Sequence, residues 1–457
     1  MLRNVGASAL LTMVASCSCN RSLCGEIGRT ESGVGMVSTV TWEANGEVQA
    51  QVEFGPADDC ARFQTSSASG TSGAFDLIGL GPSVEACFEI VVSADGDTER
   101  CGQERYTTGP PPQGIAVPDV TINEGGDEPF LIMSLILPPA QIAIDRSGEV
   151  VWANVLDADR QTTDIHLNTA GDGFNFNDYA ADHSVDDSYA RFVGYDGSAQ
   201  REIRTVNGHH AYELFDDGRI AFLAIDLRTA DYIDKNGDPA NGPVVGDVLI
   251  EQQPDGTTRE VWNAWNDLER MPIVEDGDSG SFFPQGLDWT HADFFFYDAA
   301  RHSYVISMRN INTVLEVAEA DGSWMRSVGE FGEYGITDYP DWETIIGHPH
   351  NANVLADSHW LFLTMPNHGA DDSQILEFAF DDAAKTASIV WSFEDGKDAK
   401  VEGAGERLPN GNTLINWGAA GTIQEVTPDE TIVWEAVFGV GSFAGHVHAV
   451  NSFHAVP

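Results

Sequence analysis

The chain reads as an all-β protein, a six-bladed β-propeller preceded by a small β-sandwich domain, and three observations lead there. Six segments end alike, in a polar turn followed by a short strand: SGEVVW to Trp152, DGSAQREI to Ile203, DGTTREVW to Trp262, DGSWMRSV to Val328, AKTASIVW to Trp391 and PDETIVW to Trp434. A strand-turn-strand unit of this kind cannot bury its own faces, and radial stacking of such units closes a propeller. Helical periodicity is nearly absent after Ile115, where turns such as DRSG, DDG and PNGN punctuate strands rich in Val, Ile, Phe and Trp. Finally, 457 residues exceed the size at which one core usually keeps growing, so a small domain beside a larger repeat domain is expected.

Taken in order, the start MLRNVGASALLTMVASC has a basic Arg3, a short apolar stretch from Ala7 to Val14 and small residues before Cys17. It reads as an export signal over residues 1–17, since a membrane span needs roughly 20 apolar residues. Val14, Ala15, Ser16 and Cys17 resemble a bacterial lipobox, which implies cleavage before Cys17, lipidation of its thiol, and a periplasmic or cell-surface lipoprotein. An ordinary signal peptide cleaved nearby is the alternative. All six cysteines (17, 19, 24, 60, 87 and 101) fall in the first quarter of the chain, and an exported chain oxidises them. Residues 18–109 are therefore expected to be a disulfide-stapled sandwich of unspecified connectivity. Its strands are MVSTVTWEA, VQAQVEFG, AFDLIGL, ACFEIVVSA and RCGQERYTT, set apart by Gly, Ser, Asp and Pro turns. The VTWEANGEVQAQVEFG pattern resembles fibronectin type III-like modules that precede catalytic domains in exported enzymes. A stiff PPPQG begins the linker, 110–118, and residues 119–457 form the propeller. The apolar run FLIMSLIL at 130–137 is strand-sized, and FAGHVHAVNSFHAVP at the C-terminal end is expected to pair with the first blade and close the ring.

With a net charge of −49, the surface repels nucleic acid and anionic membrane, so membrane attachment is left to a lipid anchor. Few cations remain to greet an anionic substrate, and Arg309 stands out among them. It follows the strand of LDWTHADFFFYDAARHSYVISMRN, which His291 precedes, so an imidazole and a guanidinium flank one strand and suggest an anion site. The frame recurs: HHAYELFDDGRIAFLA, PHNANVLADSHWLFLTM and AGERLPNGNTLINW align with it when His210, His291, His350 and Ala404 share a column. By subtraction the column positions are 81, 59 and 54 residues apart, within what loop insertions allow in a repeat array. Equivalent positions of successive blades face one end of the central channel, so these three histidines should converge there. A lone histidine before a strand is more often structural, and His348, His446, His448 and His454 are read that way. Trp152, Trp262, Trp391 and Trp434 are read as blade packing.

The stretches LDWTHADFFFYDAARHSYVISMRN, VVGDVLIEQQPDGTTREVWNAWNDLE, GHPHNANVL and LPNGNTLINWGAAGTIQEVTPDETIVWE resemble the bacterial arylsulfate sulfotransferase family over about three quarters of the chain. The resemblance implies transfer of a sulfuryl group from an aryl sulfate to a phenol by a ping-pong route through a sulfohistidine, with no cofactor and no nucleotide donor. The chain has no GxxxxGK phosphate cradle, in keeping with this. By the same resemblance His350 is the nucleophile, Arg309 grips the sulfuryl oxygens, and His291 and His210 donate to the sulfuryl group or carry the phenol proton. His209, Asn351 and Asp293 are further candidates for substrate contact. Where the family commonly shows HAN, this chain has His291-Ala292-Asp293. An ionised Asp293 aimed at a sulfate repels it; one aimed at a histidine orients the ring and raises its basicity. Two other classes compete: a ligand- or partner-binding propeller without turnover, and a metal-dependent enzyme using the channel histidines, with His348 beside His350. Asp234, Asn236 and Asp238 have calcium-loop spacing but lack the terminal Glu, so a solvated turn is expected there.

Overall fold

In the computed structural model, the residues described are 22–126, 128–182, 187–275, 282–366, 373–439 and 441–454. The expected export signal, Cys17 and Cys19 lie outside them. Among the described residues every regular element is a strand apart from three short 3-10 turns, Ala264–Asp267, Trp342–Thr344 and Gly418–Ala420. No helix there is long and apolar enough to cross a membrane.

The N-terminal part is one six-stranded sheet built on a single long strand, Ser38–Pro56. The sequence suggests two strands with a turn at Asn45-Gly46; instead the chain runs on, with a slip in register between Glu43 and Val48. Asn45 explains the difference, because its amide donates to the carbonyls of Ser22 (3.0 Å) and Cys24 (2.7 Å) and so ties the irregularity to the neighbouring strand. Cys24–Glu31 and Ala68–Leu77 pair with the first part of the long strand, Glu85–Ala94 pairs with the second, and Asp97–Thr107 follows. Cys24 bonds Cys101, joining the two end strands of this order, and Cys60 bonds Cys87. The sheet thus closes on a core of Val40, Trp42, Val52, Phe54, Leu77, Phe88 and Ile90. Two disulfides fit an exported protein.

Beyond residue 118 the described strands form six sheets in a propeller-like arrangement, antiparallel except where the short strands Leu287–Asp288 and Gly335–Ile336 join in parallel. Each of the six look-alike endings of the sequence falls in the fourth strand of a different sheet, counted from its inner edge: Val150–Val155, Ala199–Arg204, Thr258–Asn263, Trp324–Gly329, Thr386–Glu394 and Ile432–Val437. Their tryptophans stitch sheet to sheet. Trp152 Nε1 donates to the Tyr195 carbonyl, Trp391 to that of Pro428 and Trp434 to that of Arg146, at 2.9, 3.3 and 2.8 Å. Trp262 instead donates to Asp267 at 2.9 Å.

The inner strands are Ala444–Val450, Ile165–Leu167, Gly208–Leu214, Ala292–Asp298, His350–Val354 and Ala404–Arg407. They touch in cyclic order, the step from the second sheet to the third running through Gly173–Ala180. Both chain ends lock the ring. Ala444–Val450 pairs with the wholly buried Phe130–Leu135, and Asp119–Asn123 adds an outer strand to the last sheet. The N-terminal part shares the core of the first sheets, through Val34, Met36, Val37 and Ile78. Asp234, Asn236 and Asp238 sit at the tip of the long hairpin Ile220–Ile233/Pro239–Gln252, where Asp234 Oδ1 accepts the backbone N–H of both Asn236 and Asp238 at 2.9 Å and closes an exposed turn.

Replacing both Cys24 and Cys101 by alanine frees a loop spanning 77 residues. It should lower stability by roughly 4 kcal/mol on chain-entropy grounds, read as an earlier urea midpoint for unfolding of the N-terminal sheet. An unchanged midpoint would show that the bond adds nothing.

Candidate functional site

Three successive inner strands deliver the histidine column. His210 lies within Gly208–Leu214, His291 immediately precedes Ala292–Asp298, and His350 opens His350–Val354. Beside each one the register slips, between His209 and Tyr212, Ala292 and Phe294, and His350 and Asn353. A bulge re-aims the side chains next to it. His210, His291 and Asn351 accordingly take φ of 48°, 46° and 53°, a left-handed conformation that residues with a Cβ adopt at a cost and mostly where function requires it.

All three imidazoles are buried. The rings of His210 and His291 stand 5.1 Å apart, with Phe282 against both at 4.6 and 5.0 Å. Arg309 follows the next strand, its backbone N–H donating to the His291 carbonyl at 3.0 Å and its Nη1 to Asn310 Oδ1 at 2.7 Å. Its charge is felt by His291, His350 and Asp293 alike. His210, His291, His350, Arg309 and Asp293 therefore share one neighbourhood.

Each imidazole has its own carboxylate arrangement. His291 Nδ1 meets Asp288 Oδ2 at 2.5 Å; burial works against its charge, but Asp288 outweighs burial and the pKa is raised. His210 reaches a carboxylate through its neighbour: its Nδ1 is 2.8 Å from Nδ1 of His209, whose Nε2 is 3.1 Å from Asp247 Oδ1. His209, a candidate for substrate contact, is thus the link between His210 and Asp247. Asp247 Oδ2 also accepts from Thr290 Oγ1 (2.5 Å) and from the Ala292 N–H (2.6 Å), fixing the turn that carries His291.

His350 differs. Its Nδ1 lies against Asp293 Oδ2, while its Nε2 is buried with no hydrogen-bond partner among the described residues. Burial first, then the Arg309 charge, lowers its pKa to about 3, so the ring is neutral at neutral pH. Burial likewise raises Asp293 to about 8 against the pull of His291, His446 and Arg309. Asp293 thus faces a histidine. Asn351 Oδ1 is occupied by Asn353 Nδ2 at 2.6 Å.

Residues that the sequence pattern passed over complete the neighbourhood. His446, read as structural, packs its ring 4.8 Å from Phe294, and its charge reaches His350, Asp293 and Glu402. Burial raises the pKa of Glu402. Asp288, Asp247 and Asp164 are buried partners of histidines. Asp288 lies three residues before His291 in DWTH and Asp164 two before His166 in DIH; Asp247 meets His209 within one sheet but far along the chain, and Asp164 meets His446 and His448 from the adjoining sheet. His348 is buried, with its N–H donating to Asn312 Oδ1 at 2.9 Å. Among the described residues, the groups whose ligand atoms converge closely enough for a metal are Asp164/His166/His448 and Asp357/His359/Glu377, and neither includes His348 or His350.

An Asp288→Asn protein removes the charge that raises the His291 pKa, leaving burial to dominate. The His291 ring should then titrate below the ordinary histidine value, as followed by NMR of labelled imidazoles; a pKa still raised would mean that another group sets it.

Residues 121–334 match the model of the Arylsulfotransferase (ASST) family. The match takes in His210, His291, Asp293 and Arg309 and ends before His350. No curated protein matches the chain. Among solved structures, a protein of unknown function from Bacteroides caccae is 13% identical over 70% of this chain and 98% of its own, with a TM-score of 0.43. Virginiamycin B lyase from Staphylococcus aureus is 12% identical over 60% and 83%, with a TM-score of 0.34. The periplasmic gluconolactonase of Pseudomonas aeruginosa is 13% identical over 90% and 100%, with a TM-score of 0.36.

Proposed function

We propose that this protein transfers a sulfuryl group from an aryl sulfate to a phenol, with His350 as covalent carrier and no nucleotide donor. On this reading the six sheets are the six blades of a propeller over 119–457, joined by the 110–118 linker to a fibronectin III-like sandwich over 18–109. The whole would be tethered to a bacterial membrane through lipidated Cys17. The observation that carries the reading is His350: a neutral, buried imidazole with Nε2 unpartnered among the described residues, Nδ1 against a carboxyl group and the Arg309 charge nearby. The family match supplies the chemistry.

The residues divide the work as follows. Nε2 of His350 attacks sulfur; the N–S bond forms as the bond from sulfur to the aryl oxygen breaks. Arg309 holds the sulfuryl oxygens, where its fork of donors suits charge spread over several atoms. His291, kept protonated by Asp288, gives its proton to the departing phenolate. In the second half an acceptor phenol returns a proton to His291 while its oxygen attacks sulfur, and the N–S bond breaks. His210, backed by His209 and Asp247, donates to a sulfuryl oxygen.

Asp293 decides which nitrogen of His350 carries the proton. Ionised, it accepts from Nδ1–H and leaves a lone pair on Nε2; protonated, it donates to Nδ1 and confines the ring proton to Nε2, where it blocks attack. Since Asp293 titrates at about 8, sulfuryl transfer should rise as pH increases through that value.

Turnover of a chromogenic aryl sulfate with a phenol acceptor tests this. His350→Ala should abolish it, and chelator should leave it unchanged. Asp293→Asn should slow it about a hundredfold or more and remove the inflection near pH 8. A His350→Ala protein with full activity would overturn the assignment. Binding of aryl sulfate without turnover would favour a non-catalytic propeller.

A further inference from the structure

Asp164, just before the inner strand Ile165–Leu167, meets three imidazoles. Its Oδ2 is 2.9 Å from Nε2 of His166, and its Oδ1 is 3.1 Å from Nε2 of His448 and 3.3 Å from Nδ1 of His446. We propose that Asp164, His166 and His448, whose ligand atoms converge, bind a divalent transition-metal ion of the zinc class with the fourth position left to water, clasping the C-terminal strand to the sheet beside it.

The spacing fits. Bonds of about 2.0–2.1 Å to a tetrahedral ion set ligand atoms about 3.3 Å apart, close to the separations found around Asp164. The donor set fits as well, since imidazole nitrogens with one carboxylate select zinc, copper or nickel over magnesium and calcium. Beyond the ligands, Glu406 Oε2 lies 3.5 Å from Nδ1 of His448, the nitrogen facing away from Asp164. A carboxylate on the far nitrogen of a ligating histidine is the usual outer partner of a metal. An entry path exists too: His166 and Glu213 line a cleft of about 490 Å³, and the His166 and His448 side chains are 35% and 29% exposed. The second group, Asp357/His359/Glu377, carries nothing, because Arg407 donates to Glu377 at 2.6 Å and places a fixed cation on a ligand.

The location gives the ion a task. Ala444–Val450 completes the first sheet with no covalent link to its neighbours, and it passes so close to the next sheet that a Cβ on Gly445 would stand 2.3 Å from the Thr163 carbonyl. His448 comes from this strand, Asp164 and His166 from the adjoining sheet. An ion between them pins the seam.

The test uses the full chain stripped with chelator and titrated with Co²⁺. One equivalent should produce the intense visible bands of a four-coordinate ion, Zn²⁺ should bleach them, and either metal should raise the unfolding midpoint by about 3 °C or more at a hundredfold excess over its dissociation constant. The many surface carboxylates bind Co²⁺ weakly and six-coordinate, giving only faint bands. The His166→Ala/His448→Ala protein should lose the bands and the midpoint shift, with circular dichroism of the metal-free protein confirming its fold. Should that variant fail to fold, Glu406→Gln leaves every ligand in place and should weaken Co²⁺ affinity about tenfold or more. Faint bands only in the parent protein, bands that persist in a folded double variant, or unchanged affinity in Glu406→Gln would each overturn the proposal.

Discussion

Closure of the ring is the constraint on which the rest of the molecule depends. Each sheet has a buried inner edge that it cannot satisfy alone, and the inner strands meet their neighbours around the axis. Ala444–Val450 supplies a strand to the first sheet and Asp119–Asn123 one to the last, so segments far apart in the chain close the ring. Crowding at the axis also removes water from whatever the inner strands carry. Here they carry imidazoles and carboxylates, groups whose charges are costly to bury unless they are paired.

Pairing takes three forms, and the forms create the chemical differences. Asp288 touches His291 directly and raises its pKa against the effect of burial, favouring the charged ring. Asp247 acts on His210 through His209 and also holds the turn before Ala292. Asp293 lies so deep that burial outweighs its neighbours, and it and His350 both tend toward neutrality. Residue types that differ little in the sequence thus come, by position alone, to differ in charge and partners, and on the proposed reading they serve as a proton donor, a positioned donor and a carrier. The net charge of −49 says nothing of this, because it is a property of the surface.

Legibility followed locality. The repeated endings placed the fourth strands because each is a contiguous run of residues whose pattern is visible in place. The column of His210, His291 and His350 was visible because the repeat puts equivalent residues at equivalent offsets. His446 belongs to the same ring of inner strands but was read as structural, since its strand completes the first sheet from the far end of the chain and no repeat frame surrounds it. Asp247 reaches His209 between two strands of one sheet that lie far apart along the chain, and Asp164 reaches His446 and His448 across a sheet boundary, so no spacing along the chain encodes these contacts. The turn expected at Asn45-Gly46 failed for a related reason: the amide of Asn45 finds its partners in another strand, and that contact overrides the local turn preference.

Asp293 shows how position can reverse a reading made from residue type. A carboxylate near a sulfate site looks like an obstacle while it is imagined charged and facing the ligand. Buried against His350 and titrating at about 8, it is largely uncharged at neutral pH and repels little. A bound sulfate ester would raise its pKa further by adding negative charge nearby, which by itself would favour the unreactive tautomer of His350. Arg309 opposes this, lowering the pKa of both Asp293 and His350. On the proposed mechanism the guanidinium would therefore have two effects that cannot be separated: it would neutralise the incoming anion, and in doing so keep the carboxyl group able to release its proton when His350 attacks. With sulfur bonded to Nε2 the ring would become cationic, and ionised Asp293 would then be the charge that it needs.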